Sequence, residues 1–399
     1  MTGPTAAEPG RAAGAGVAVP ATAAAFSSPP SAPSLSSLSS LSSLLAERRI
    51  VVCCGPGGVG KTTVSATFAL AAARAGRSAC VVTVDPARRL ADALGVESLP
   101  NVPTRVEGPW PGKLHAVMLD ARGTFDDLVE RYARNPEQAS SIRSNRLYQS
   151  LAGALSGTQE YMAMEKLYEL TEEGDYDLVV VDTPPTRNAL DLLDAPRRLT
   201  HFFENRLFRV LLLPTRAYLR AVNLATQALL RTISRVAGAE IVQDAVAFFQ
   251  AFEGMEEGFR QRAARVRELL VQPGTAFVLV ASPRPDSIDE AVHFADKLAE
   301  SHMATSALVL NRVQPRFATD EQLAALDAAG VPSGTDLAVL VENLRGFTLA
   351  SDREELAYAD LVAKVAPAPV HRVPLLTTDV HDLQGLVAVA DALFGQAAG

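Results

Sequence analysis

From Arg49 onward the chain alternates short, nearly unbroken apolar runs with longer segments whose apolar positions recur at helical spacing. "RIVVCC" is a compact, β-branched run that reads as a buried strand. "GPGGVGKTT" follows, then the Ala-rich "VSATFALAAARAG", a helix closed by Gly76, and then a second strand, "SACVVTVD". Strand, helix and strand in that order form a βαβ unit, which implies a parallel sheet with a right-handed crossover. "LHAVMLD" (114–120), "DLVVVD" (177–182), "AFVLVAS" (276–282) and "SALVLN" (306–311) repeat the near-continuous apolar strand pattern, so both faces of the sheet should be covered by helices. "APVHRVPLL" supplies a last strand and "VHDLQGLVAVADALF" a closing helix. The predicted class is α/β: a doubly wound, mostly parallel sheet flanked by helices.

Two regions break the alternation. Residues 1–44 are rich in Ala, Pro, Ser and Gly and end in the near-repeat "SLSSLSSLSSLL"; their composition predicts a disordered tail, with the ordered domain running over 45–399. Between about 190 and 273 the pattern is helical and unusually apolar, from Phe202 and Phe203 through Leu211, Leu212 and Leu213 to Leu229 and Leu230. It predicts an α-helical subdomain inserted in the α/β body. Its apolar positions suit either internal packing and a dimer interface or a groove for a partner helix.

Composition narrows the class. A formal net charge of −8 with no long basic stripe argues against nucleic acid as the partner. No apolar run is long enough to span a bilayer as a helix. "MTGPTAAEPGR" is not a secretory leader, so the cytoplasm is the expected compartment. The three cysteines, Cys53, Cys54 and Cys80, lie within apolar runs without paired C-x-x-C spacing, as buried thiols of a reducing compartment do.

The chemistry concentrates at the first strand–helix junction. Gly55, Gly60, Lys61 and Thr62 fit G-x-x-x-x-G-K-[ST] between a strand and a helix. In such a loop, here Gly55, Gly57, Gly58, Val59 and Gly60, the backbone N–H groups turn inward around a β-phosphate, and the helix N-terminus adds its positive dipole. Lys61 is placed for the β/γ-phosphates and Thr62 for Mg²⁺; Thr63 suits the α-phosphate or is a neutral first-turn residue. Asp182, ending "DLVVVD", is the expected Mg²⁺ carboxylate. Asp85, ending "VVTVD", suits orientation of an attacking water or capping of the following helix. Asp120 also ends a strand, with less to support a role.

Taken together, these stretches resemble the ATPase family of the arsenite pump (ArsA) and the eukaryotic tail-anchored-protein targeting factor. "VDPARRLADALG" (84–95) is similar to the family's switch I, "SGTQEYMAMEKL" (156–167) to its P-G-x-x-E segment with Glu160 on the acid, and "VDTPPTRNALDLL" (181–193) to its switch II. "LVLNRV" (308–313) resembles the strand whose Asn reads adenine, here Asn311. "VPLLTTDVHDLQGL" (373–386) resembles the loop beside the adenine ring, which places Pro374 and Leu375 there. The resemblance implies a P-loop NTPase that binds ATP and Mg²⁺ and works as a nucleotide-sandwich dimer, with Asp85 and Lys61 in catalysis.

It also marks departures. Pro56 stands where the family has a signature lysine that reaches the partner's nucleotide, and Arg187 and Asn188 replace the Gly-His of switch II. The family's zinc-binding and metalloid-binding cysteines are missing. The chain resembles the actinobacterial paralogue without the lysine, which implies a heterodimer with a lysine-bearing sibling; a homodimer and a regulatory, non-hydrolysing subunit are the alternatives. Implied outputs are protein targeting with a hydrophobic protein client, chaperoning or anion handling. Partitioning ATPases and small-molecule kinases of the same loop class fit the switch pattern less well.

Overall fold

The computed structural model describes residues 35–85, 87–146, 148–149, 158–184, a few positions between 244 and 251, and 254–395. Eight strands among these residues form one sheet: β1 (Ile50–Cys54), β2 (Ser78–Thr83), β3 (Thr104–Val106), β4 (Lys113–Met118), β5 (Leu178–Asp182), β6 (Thr275–Ala281), β7 (Thr305–Val313) and β8 (Val370–Pro374). Their order is β3-β4-β2-β5-β1-β6-β7-β8. Every pairing is parallel except that of the short edge strand β3 with β4. This is the mostly parallel sheet with helices on both faces that the apolar runs predict, and it is consistent with the P-loop NTPase fold that the resemblance implies. The sequence reading passed over β3, because three residues carry no periodicity.

Successive residues of β1 serve opposite faces. Ile50, Val52 and Cys54 join the core under α6 (Thr158–Tyr168), α7 (Glu256–Val271), α8 (Pro285–Glu300) and α11 (Ala359–Val365). Val51 and Cys53 join the core under α1 (Leu35–Glu47), α2 (Lys61–Arg74), α3 (Arg89–Leu94) and α12 (Leu383–Phe394). Both-sided burial is why the strands read as unbroken apolar runs. A third cluster, including Leu128, Ile142, Tyr148 and Phe259, lies among α4 (Ala121–Tyr132), α5 (Pro136–Ser144), α6 and α7. The remaining α-helices among the described residues are α9 (Asp320–Ala329) and α10 (Asp336–Ala357), and a π-helical turn spans Glu169–Glu173. The cysteines are buried free thiols of β1 and β2, and desolvation pushes the Cys54 thiol up to about 12.

Two expectations change. The Ser/Leu repeat is not part of a disordered tail from residue 35 onward: it forms α1, and Leu41, Leu44 and Leu45 are buried against α2 and α12. The spacing i, i+3, i+4 puts these leucines on one face, and the Arg77 guanidinium donates to the carbonyls of Leu45 and Arg48 at the helix end. The inserted subdomain expected at 190–273 lies largely outside the described residues, Phe202 to Leu230 included. Its final stretch, α7, is part of the body. Val266, Leu269 and Leu270 of α7 pack on the sheet, and Arg262 is buried in an ion pair with Glu165 and lies 3.7 Å over the Tyr168 ring.

Two measurements follow from this packing. Leu41 is fully buried, so Leu41→Ala is expected to cost about 3 kcal/mol by cavity formation. An unchanged unfolding midpoint would show that α1 does not dock in solution. In β8, His371 is 2 % exposed and neither ring nitrogen has a partner among the described residues. Burial lowers its pKa from 6.5 to about 4. The neutral ring is favoured in the folded state and protons bind better to the unfolded chain. Stability is therefore full above pH 6.5 and falls towards pH 4, by about 2 kcal/mol at pH 5. His371→Leu is expected to remove that component; an unaltered acid limb in urea titrations at pH 7 and pH 5 would refute it.

Candidate phosphate-loop site

The carboxyl ends of β2, β5, β1, β6 and β7 form the rim where an α/β sheet of this topology binds its ligand. The glycine-rich loop joins β1 to α2 at the middle of that rim. Two of its glycines are dictated by close approaches. Gly55 has φ +138°, and a Cβ there would sit 2.1 Å from the carbonyl oxygen of Val280 in β6. Gly60, the residue before α2, has φ +90°, and a Cβ would lie 2.2 Å from Asn311 Nδ2. Any other residue would clash on either side and strain the backbone.

Lys61 opens α2 with its ammonium turned back into the loop, where it donates to the carbonyls of Gly55 (3.0 Å) and Pro56 (2.7 Å). Burial lowers its pKa, opposed by the nearby carboxylates of Asp182 and Asp85. Thr62 Oγ1 donates to Asp182 Oδ2 at 2.8 Å. Thr83, at the end of β2, donates to the same oxygen at 2.8 Å. Registers of Cys53 and Thr83 with Asp182 set this convergence, since both neighbouring strands end level with it. Asp182 is fully buried, and desolvation raises its pKa to about 6. Its Oδ1 is buried and has no partner among the described residues. A threonine hydroxyl beside a carboxylate with one unsatisfied oxygen is a donor set that fits Mg²⁺, which prefers oxygen ligands and keeps part of its water shell.

Asp85 stands two residues past Thr83, whose hydroxyl accepts the Asp85 N–H at 3.2 Å. The carboxylate accepts from the Ala87 N–H at 3.0 Å and pairs with Arg89 at 3.1 Å, so here it caps its own turn. Asn311 Nδ2 donates to the Val59 carbonyl at 2.8 Å, holding the phosphate loop to β7. Pro374 and Leu375 sit at the neighbouring strand end: Pro374 is in register with Val313, and the Leu375 N–H donates to the Val313 carbonyl at 2.8 Å. Gly57 and Gly58 are exposed at the loop tip, Val59 is buried, and Thr63 is half-buried on α2. The predicted residues thus lie along one rim. Asp120 lies apart from them as the N-cap of α4. Glu160 falls in α6; Arg187 and Asn188 lie outside the described residues.

Sequence reasoning missed Thr83 and Arg89. Each carried a faint signal. Thr83 is the one hydroxyl in "ACVVTVD", and Arg89 is four residues after Asp85, within ion-pair reach along one turn.

Comparison with known proteins agrees with this geometry. A family model described as anion-transporting ATPase matches residues 48–328. An uncharacterised protein of Streptomyces coelicolor is 34 % identical over 268 residues, covering 67 % of this chain and 63 % of its own. The ATPase GET3A of Arabidopsis thaliana is 30 % identical over 260 residues, covering 65 % of each chain. A putative arsenical pump-driving ATPase of Aquifex aeolicus is 22 % identical over 353 residues, 87 % of this chain and 79 % of its own. The chain therefore spans a little under two thirds of the first two relatives, at 63 % and 65 % of their length. With the family match running from the first strand through β7 and α8 to the end of α9, the chain belongs to the ArsA family of P-loop ATPases.

Proposed function

We propose that the chain binds ATP with Mg²⁺ and hydrolyses it as one subunit of a dimer, with a lysine-bearing paralogue as its partner. The observation that carries this reading is the convergence of Thr62 and Thr83 on the buried Asp182 carboxylate beside the Lys61 ammonium. Bound Mg²⁺ would neutralise charge on the β- and γ-phosphate oxygens. Thr62 and Asp182 would hold it, Asp182 through its unsatisfied Oδ1. Lys61 would exchange its two loop carbonyls for phosphate oxygens without leaving the loop. Asp85 would take a proton from water attacking the γ-phosphorus as the bond to the β-bridging oxygen breaks and ADP departs. To do so its carboxylate must let go of Arg89. That exchange would make switch I a two-position element.

Pro56 carries no charge, so the cation that family members pass across the dimer must come from the partner. The relatives named above include a GET3-type ATPase and an arsenical pump-driving ATPase, which supports targeting, chaperoning or anion handling as the output. Metalloid capture by this chain's own thiols is disfavoured. All three cysteines are buried, and desolvation raises all three thiols well above neutrality. A regulatory subunit that holds ATP to activate its sibling is the second reading, and Pro56 is the observation that favours it.

Steady-state hydrolysis by the purified chain, with and without the paralogue, separates these readings. Turnover is expected to be low alone and to rise on mixing, and Lys61→Ala is expected to lower the mixed activity by about 100-fold or more. Full turnover by the chain alone as a homodimer would refute the heterodimer; undiminished activity in mixtures carrying the Lys61→Ala chain would favour the regulatory reading. Asp182→Asn is expected to weaken Mg²⁺-dependent binding of a fluorescent ATP analogue by about 10- to 100-fold. An unchanged Mg²⁺ titration would remove Asp182 from the metal site.

A further inference from the structure

Arg312 follows the Asn311 that grips the phosphate loop, and its own geometry is unusual. Its φ is +62°, in the left-handed region that side-chain-bearing residues avoid. The β7–β8 register shifts between Asn311 and Val313, so Arg312 leaves the ladder at a bulge. Bulges of this kind re-aim a side chain. Here the guanidinium is aimed at the tip of the phosphate loop, where Nη1 donates to the Gly58 carbonyl at 3.3 Å.

The side chain lies at the edge of a cavity of about 400 Å³ on the outer side of the loop, lined among others by Pro56, Gly57, Gly58, Arg284 and Glu354. The charges around it are engaged elsewhere. Arg284 pairs with Asp286 at 3.0 Å, and Glu354 accepts the Gln314 N–H at 2.7 Å. Arg312 is exposed and makes no ion pair among the described residues.

We propose that Arg312 is a positioning residue for the phosphate loop: with Asn311 it clamps the loop tip from β7, so that the loop is set for nucleotide before nucleotide arrives. Asn311 takes the Val59 carbonyl and Arg312 takes the Gly58 carbonyl, two successive peptide oxygens. Fixing those oxygens fixes the peptide planes between Gly58 and Gly60, and with them the direction of the N–H groups on the opposite side. The tip needs this because Gly57 and Gly58 bring little restraint of their own; a Cβ at Gly58 would meet nothing within 4 Å. Ordering it in advance lowers the cost of binding. The left-handed backbone of Arg312 is the strain accepted for that placement. This inference rests on the phosphate-loop reading given above.

Arg312→Gly tests it, because glycine relieves the backbone strain while deleting the guanidinium. Full-length wild-type and variant chains are titrated with a non-hydrolysable MgATP analogue, and their thermal unfolding is followed in parallel. Affinity is expected to fall by about fivefold with the unfolding midpoint unchanged or raised, and KM to rise more than kcat falls. Arg312→Lys, which keeps a cation but not the fork, is expected to regain part of the affinity. Affinity within about twofold of wild type would overturn the role, as would an affinity loss matched by a large drop in midpoint. Failure of wild type itself to bind the analogue would overturn the phosphate-loop reading as well.

Discussion

A carboxylate buried at the centre of a parallel sheet is expensive, and the rim of this protein is arranged to make Asp182 tolerable there. Two threonine hydroxyls, from α2 and β2, converge on one oxygen, and the Lys61 ammonium lies close by. They reduce the desolvation cost without cancelling it, which is why the carboxyl still titrates near 6. The strand order is a precondition. Only with β5 between β1 and β2, all three parallel and ending nearly level, does one side chain meet both a residue of β2 and a residue of the helix that follows β1. Among the described residues the other Asp182 oxygen has no partner, and an oxygen-seeking cation there would complete the set.

The shape of the phosphate loop depends on strands that a local motif does not mention. Gly55 passes against the backbone of β6 and Gly60 against a side chain of β7. The loop is therefore moulded from three directions: β1 and α2 at its ends, β6 beneath its start, and β7 across its tip. Pro56 fits this arrangement. Its ring restricts φ where the loop begins its turn, and its carbonyl, which proline retains, is one of the two that receive the Lys61 ammonium. What proline removes is a charged side chain and an N–H donor; the main-chain part of the cradle survives.

How much of this could be read in advance varied with the physics behind each feature. β1, β2, β5, β6 and β7 were legible because burial on both faces forces nearly continuous apolar runs, which few other structures require; β4 and β8 were legible from shorter apolar stretches, although each keeps an exposed position. The phosphate loop was legible because Gly55 and Gly60 answer to steric contacts that admit nothing else. The helix at Leu35–Glu47 was hidden by composition: serine-rich sequence resembles a linker, and only the leucine spacing records the buried face. Thr83 and Arg312 were hidden for another reason. Their roles come from strand register and from a bulge, and both depend on which strands become neighbours. The restraint of Asp85 by Arg89 lies between these cases, since the spacing is visible but the competing turn is not.

The loss of charge at Pro56 has an asymmetric consequence for any dimer the chain enters. In a symmetric pair of identical chains, Pro56 would face each nucleotide from across the interface, and neither site would receive a cation from its neighbour. In the proposed pair with a lysine-bearing paralogue, the lysine would cross towards this chain's nucleotide, while Pro56 would be what this chain offers in return. The site completed in that pairing is the one that Lys61, Thr62, Thr83 and Asp182 build. A subunit that held ATP only for regulation would need the same buried carboxylate for its Mg²⁺, so the cross-interface charge, and not Asp182, separates the two readings. On the proposed heterodimer, the proline-bearing subunit is the one whose nucleotide meets the full set of charges, and the partner's site is the one left short.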